Sequence, residues 1–460
     1  MRCLLVLPLN HMRYQILMPD LGLGYLSTAL KRHGHSVRIL DLSLEVYRGR
    51  LTWESAIREL SRATEDVIGF KAFNLDLPFV QEATAAIRRT HPGTIIIVGG
   101  PVTLLYNQLF ELLPAIDYAF VGEAEISLPA LLERLDASDS LREVPGLVWR
   151  DEDGVHCNAQ SLVDDLDSLG PIDWDGLKPA EYPLDYFGEP ILPVMVTRGC
   201  PYHCNYCQAG LISGKKIRSR SIEAVIDDLR YLKSRYGFST FNLYDDNLTV
   251  MRRVGFQFAI GLARSGLNMR WRISGGLRID TLDIDLMRSL EQAGCYYIYM
   301  AIESGSQRVL DLMNRKTDLM TMVHNVHQVA HATTIGMLGF FILGYPGETV
   351  TEACRTIHLA LSLPLTRAAF FAFTPLPQTP VFDSLSKEGK LVDYHLDRNF
   401  VLGPPTGFSY PAPKMRRLRR YAYASFYLRP NILKANLSEI HSCNQLRRFL
   451  SRAAAVIGER

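Results

Sequence analysis

The sequence predicts an α/β protein with an N-terminal open parallel sheet, a partial β/α barrel of six units after it, and a helical C-terminal region. Three observations predict this. Short apolar, β-prone runs alternate with helical patterns through residues 1–140. The alternation lapses over 141–190 and returns over 191–390. Residues 391–460 then lose it and keep only helical spacing.

In the first region the strands are Cys3–Pro8, Val37–Asp41, Val67–Phe73, Thr94–Val98 and Tyr118–Val121. Helical patterns such as Gly24–His33 and Phe79–Thr90 lie between them, and the helices of such a sheet cover both faces. Ligands of such sheets sit at the carboxyl ends of the strands. PGLVWRDEDGVHCN reads as a hairpin, and the acidic, Pro-rich run after it reads as a linker. The six barrel strands are Val194–Thr197, Thr240–Tyr244, Trp271–Ser274, Tyr296–Ile302, Met337–Leu343 and Ala368–Phe373, with helices such as Ile222–Tyr236, Asp283–Ala293 and Ser306–Asn314 between them.

Composition narrows the function classes. A chain of 460 residues, 47% hydrophobic and 21% charged, can bury sizeable cores in two to three domains. A net charge of +2 gives no bulk attraction to nucleic acid. The N-terminal apolar run is cut short by Asn10 and His11, so it reads as a strand and not a secretory leader. No apolar run reaches the about 18 residues of a membrane span. The basic cluster KMRRLRR at 414–420 reads as a solvated helix face rather than a membrane anchor, with neighbouring aromatic residues packing the tail onto the barrel. Three of the eight cysteines fall within eight positions and the others are scattered, which is not the layout of a disulfide framework. A cytoplasmic enzyme with a metal site is expected. Cys295 and Cys354 read as core residues.

Cys200, Cys204 and Cys207 are spaced C-x3-C-x2-C directly after a barrel strand. Three thiolates this close can hold one face of an iron–sulfur cubane, and no fourth cysteine is near, so one iron stays open for chemistry. A zinc knuckle completed by His203 is the competing reading, although zinc sites usually pair two C-x2-C units.

The motif resembles the signature of the radical S-adenosylmethionine (SAM) superfamily. The resemblance extends to Tyr244-Asp245-Asp246-Asn247, Glu303-Ser304-Gly305-Ser306 and FILGYPGE at 341–348. It implies a 4Fe-4S cluster whose open iron chelates SAM, and one-electron cleavage of SAM to methionine and a 5′-deoxyadenosyl radical. It also implies SAM contacts at Tyr206, Asp245, Asp246, Ser274, Glu303, Ser304 and Gly344. Taken singly, Asp245 and Asp246 are equally good helix caps and Glu303 an ordinary ion-pair partner.

The first region resembles the cobalamin-binding domain that precedes many radical SAM modules. The resemblance rests on the GLGYLSTAL helix, the Gly99-Gly100-Pro101 loop and the Gly122-Glu123-Ala124-Glu125 loop. It implies cobalamin contacts at Gly22, Gly24, Tyr25, Gly99, Gly100, Gly122 and Glu123. A dinucleotide fingerprint is the weaker reading, because Ser27 stands where its third glycine belongs. The D-x-H-x-x-G motif that ligates cobalt elsewhere is absent. Val102 replaces the His that often follows GGP, and Gln378 stands where relatives usually have Gly.

Together these resemblances imply a cobalamin-dependent radical SAM enzyme that methylates an unactivated carbon through methylcobalamin. An oxidative cyclase or rearrangement enzyme with the same cofactors is the alternative, and a non-catalytic cobalamin or Fe–S sensor is the reading from another class. The expected partners are a small-molecule, lipid or tetrapyrrole-type substrate and an electron donor such as ferredoxin or flavodoxin, with no nucleic acid.

Overall fold

The computed structural model describes residues 1–10, 17–185, 188–391 and 408–438. The chain forms two compact units, Met1–Tyr182 with Leu211–Gly214, and Pro183–Gly210 with Lys215–Arg460.

The first unit is built on a seven-stranded sheet in the order β2-β1-β3-β4-β5-β6-β7. Its strands are β1 (Arg2–Leu7), β2 (Ser36–Asp41), β3 (Val67–Lys71), β4 (Ile95–Gly99), β5 (Tyr118–Phe120), β6 (Leu147–Asp151) and β7 (Gly154–Cys157). β1 to β5 pair in parallel, and β6 and β7 add an antiparallel hairpin. The central strands are unbroken apolar runs because both faces are covered: Leu4, Val6, Ile68, Ile96 and Val98 are fully buried.

The acidic stretch after the hairpin is not the free connector its composition suggests. Leu166, Leu169, Ile172, Trp174 and Leu177 are buried. Asp173 accepts hydrogen bonds from Ser27 Oγ (2.5 Å) and Lys31 Nζ (2.6 Å) on the helix Leu21–Arg32. Five apolar anchors spread among Asp, Gly and Pro show no periodicity, so the sequence reads as linker while the side chains dock.

The second unit carries six parallel strands in the order β15-β14-β13-β12-β11-β8. These are β8 (Pro193–Val194), β11 (Thr240–Leu243), β12 (Arg270–Leu277), β13 (Cys295–Glu303), β14 (Gly336–Leu343) and β15 (Arg367–Ala372). Every neighbouring pair is parallel, and consecutive strands in sequence are neighbours in space, as β/α repeats require. A small antiparallel ribbon joins β9 (Thr197–Arg198) to β10 (Arg218–Ser219).

Along β14 buried residues alternate with half-buried ones, so one face is packed and the other is open. Tyr299, Phe340 and Phe371 form an edge-on aromatic row on that open side, with ring centroids 5.6 Å apart at each step.

The edge strand β15 is covered by the helix Ala412–Tyr427. The Tyr427 hydroxyl accepts from Ala368 N (3.2 Å) and donates to Ala368 O (2.9 Å), while the Tyr423 hydroxyl accepts from Phe370 N (3.1 Å). Four residues of helix rise about 6 Å and two residues of strand about 6.6 Å, so i,i+4 tyrosines match every second strand residue. Hydroxyls thus stand in for a missing strand and blunt the edge. Among the described residues no helix is long and apolar enough to cross a membrane.

Candidate cofactor sites

The cysteine loop leaves the sheet at the carboxyl side of β8 and is fastened from β11. Asp245 is buried, and its carboxylate accepts from Val196 N (2.7 Å), Thr197 N (2.9 Å) and Thr197 Oγ1 (2.7 Å). Burial pushes its pKa up to about 7 against those hydrogen bonds. Asp246 accepts from Gly199 N (2.8 Å), one residue before Cys200, and Gly199 itself has φ +102°. The far half of the loop is held from the turn that follows the helix Gln307–Leu312: Asn205 N donates to Met313 O (3.0 Å) and Asn314 Nδ2 to His203 O (2.6 Å). Cys200 and Cys204 are half-buried and Cys207 is exposed.

Among the described residues no three His, Cys, Asp or Glu side chains converge closely enough to hold a single metal ion. His203 is exposed.

The predicted SAM contacts divide. Tyr206 and Glu303 meet: the phenol donates to Glu303 Oε1 at 3.1 Å. Glu303 ends β13 at a register shift, is buried, and has φ +68°, a strained conformation for a side chain this large. Burial raises the pKa of both groups. Ser274 Oγ lies 3.1 Å from the Asn242 side-chain amide on the neighbouring strand.

Asp245, Ser304 and Gly344 each have close protein contacts of their own. Both Asp245 oxygens are taken by the loop backbone, so this residue positions the cysteines. Ser304 is fully buried, lies 3.2 Å from Thr356 Oγ1 and accepts from Ser306 N, pointing away from its neighbour Glu303. Gly344 has φ +81°, donates its N–H to Glu348, and a Cβ there would fall 2.0 Å from Met415 Cε, so the tail already covers it. Gln378 has φ +59°, which explains in backbone terms why a Gly suits that position.

Sequence reasoning missed two buried arginines. Arg278, just after β12, has its guanidinium on Asp280, on Arg315 O and 3.6 Å above the Tyr202 ring. Arg315 donates to Ala301 O (2.7 Å) and Tyr206 Oη (3.4 Å). The only sequence signal was the placement of Arg278 directly after a strand, where barrel sites form; Arg315, in the turn after the helix Gln307–Leu312, carried none.

In the first unit Gly22, Gly99 and Gly100 lie at the carboxyl ends of parallel strands or at the helix start beside them. Gly22 adjoins the ion pair Lys71–Asp20 (2.7 Å), another pair the sequence did not single out. Gly99 faces open space, and Gly100 (φ +88°) passes close to the Ala72 backbone. The other four candidates have close protein neighbours. Gly24 makes room for Ile172 and Leu177, Tyr25 is buried, Gly122 abuts Gln160, and Glu123 accepts from Val163 N (2.8 Å). Gly24, Gly122 and Glu123 thus contact the stretch from Gln160 to Leu177, whose contacts no periodicity announced.

Val102 is fully buried. The described histidines of this unit sit elsewhere than at strand carboxyl ends: His33 and His91 cap helices, His35 precedes β2, and His156 lies in β7. His11 lies outside the described residues.

Residues 13–132 match the B12 binding domain family and residues 194–360 the Radical SAM superfamily. The chain thus carries a B12 binding domain followed by a radical SAM domain. Cobalamin, a 4Fe-4S cluster and SAM are the cofactors of such an enzyme.

This B12-binding radical SAM chain is 28% identical to an uncharacterized methyltransferase of Pyrococcus horikoshii, over 96% of this chain and 95% of the relative. It is 25% identical to the anaerobic magnesium-protoporphyrin IX monomethyl ester cyclase of Cereibacter sphaeroides, over 83% of this chain and 63% of that one. Its fold matches the radical SAM methyltransferase TsrM from Kitasatospora setae with a TM-score of 0.70 at 18% identity, covering 85% of this chain and 77% of that one.

Proposed function

We propose that this B12-binding radical SAM enzyme transfers a methyl group to an unactivated carbon of a small, largely apolar substrate. The observation that carries the reading is the cysteine loop, clamped by Asp245 and Asp246 at strand carboxyl ends, in a chain that also has a B12 binding domain. Cys200, Cys204 and Cys207 would ligate three irons of the cluster and leave the fourth for SAM. Asp246, Tyr206, Ser274 and Glu303 are the polar groups that would meet SAM. Gly22, Gly99 and Gly100 would line the corrin site.

When bound, the cluster supplies one electron to the sulfonium of SAM, and methylcobalamin supplies the methyl group. The chain orients these partners and keeps water away. The row Tyr299, Phe340 and Phe371 supports an apolar substrate body, since such rings favour hydrocarbon and planar surfaces. The polar pair Arg272–Asp185, near the amino-terminal end of β12, is buried and closes that side with charge. The electron donor is proposed to be a small ferredoxin or flavodoxin. The seven described cysteines are all free, which suits the reducing cytoplasm.

Similarity to a cyclase keeps oxidative cyclisation as the second reading. Incubation with SAM carrying a deuterated methyl group separates the two. Methyl transfer puts label on the product and releases S-adenosylhomocysteine, whereas cyclisation yields 5′-deoxyadenosine with no label transferred.

A further inference from the structure

Two buried cations converge on one of the three thiols. Arg315 Nη1 lies 3.9 Å from Cys204 Sγ and Arg278 Nη1 4.0 Å from the same sulfur. Arg278 is 3% and Arg315 4% exposed. Neither guanidinium is free to swing away. Arg278 is pinned by Asp280 (3.0 and 2.7 Å) and by Arg315 O (2.7 Å), and Arg315 by Ala301 O (2.7 Å). Arg315 Nε is buried with no partner among the described residues. No comparable donor pair approaches Cys200 or Cys207 among the described residues; Cys207 Sγ accepts only the Ala209 N–H at 3.4 Å.

A buried arginine keeps its charge, and placing two beside one thiol has a desolvation cost that packing alone would not incur. The carboxylates of Asp280 (2.7 Å from Arg278) and Glu303 (3.9 Å from Arg315) offset part of it, and a thiolate at Cys204 offsets more. We propose that Arg278 and Arg315 form a paired cationic clamp on Cys204 that raises the electron affinity of the cluster held there. This rests on the cysteine reading above.

The physical reason is direct. Reduction adds one electron to the cluster, from the 2+ to the 1+ state, with no bond made or broken. Nearby positive charge and hydrogen bonds to sulfur favour the more negative state. The two arginines are positioning and tuning residues that act through Cys204. Asp280 has the opposite effect, because its carboxylate partly neutralises Arg278.

The test is a potentiometric titration of the reconstituted cluster with titanium(III) citrate, read by the electron paramagnetic resonance of the reduced state and with SAM omitted. In cluster-replete Arg278→Gln the reduced-to-oxidised ratio at the wild-type midpoint should fall about tenfold, a midpoint ~59 mV more negative. Asp280→Asn should move the midpoint the other way. An unchanged midpoint in cluster-replete Arg278→Gln overturns the proposal. Where Arg278→Gln does not assemble its cluster, Asp280→Asn decides: a positive shift supports the clamp, and no shift or a negative one overturns it. A wild-type chain that assembles no cluster refutes the cysteine reading itself, and the clamp with it.

Discussion

Glu348→Gln isolates the energetic cost of a buried carboxylate beneath the glycine turn at 344–347. The Glu348 side chain is buried; one oxygen accepts from Gly344 N and from the Tyr410 hydroxyl at 2.7 Å, and the other has no donor. Burial pushes the pKa from 4.5 to about 7. Between those values the folded chain holds a proton that the unfolded chain has released. Stability therefore falls as pH rises through that window and levels off above it. At ~1.4 kcal/mol per pH unit, the span from 4.5 to about 7 is worth about 3 kcal/mol.

Glutamine does not titrate. Its carbonyl oxygen keeps both hydrogen bonds, and its amide nitrogen, left without an acceptor, costs about 1–3 kcal/mol at every pH. The variant should be the less stable protein near pH 5 and should close the gap, or reverse it, by about pH 8. Urea unfolding followed by tryptophan fluorescence measures this, with the buried Trp271 of the same unit as a reporter. Asp41, Asp76 and Asp245, also raised by burial, titrate equally in both proteins and cancel in the difference. Stability curves that run parallel from pH 5 to 8 would refute the reasoning.

Three further outcomes are expected. Cys204→Ala should lose Fe–S absorbance and reductive SAM cleavage while the chain still takes up cobalamin, as seen in its ultraviolet–visible spectrum. Gly275→Ala would put a Cβ 2.3 Å from the Asp245 carbonyl oxygen. It should cost about 1–3 kcal/mol and lower the iron and sulfide bound per chain, because the displaced residue holds the cysteine loop. Tyr427→Phe removes the hydroxyl that bridges Ala368 N and O. It should destabilise the second unit by about 1–3 kcal/mol, seen as a lower thermal midpoint.

The strands were legible because each is a short apolar run between turn residues. Most observed and expected spans differ at their ends, but the expected strand Val194–Thr197 is split between β8 and the ribbon strand β9. β12 runs on to Leu277, past the expected Ser274: Gly275 closely approaches the Asp245 backbone, and Gly276 faces the Ala301 and Phe340 side chains. The docking of the tail through its aromatic residues was also readable, although the matching of tyrosine spacing to the strand repeat was not. The cysteine spacing announced a site, but the roles around it were only half visible. Asp245 and Asp246 were found as a polar pair, yet hydrogen-bond direction decides that Asp245 serves the loop, and sequence carries no direction. Ser304 follows Glu303, and adjacent residues at a strand end point apart. Arg278 and Arg315 look like ordinary loop cations until burial shows otherwise.

The central claim is that one chain carries both a SAM-cleaving cluster and a methyl-carrying corrin. The direct measurement is anaerobic loading with iron, sulfide and cobalamin, then reaction with SAM bearing a deuterated methyl group and titanium(III) citrate, with products read by mass spectrometry. The account predicts deuterated methylcobalamin with S-adenosylhomocysteine, together with 5′-deoxyadenosine that disappears in Cys204→Ala. A fully loaded protein that forms 5′-deoxyadenosine and leaves cobalamin unlabelled would contradict the methyltransferase reading, and one that takes up neither cluster nor corrin would contradict the whole account.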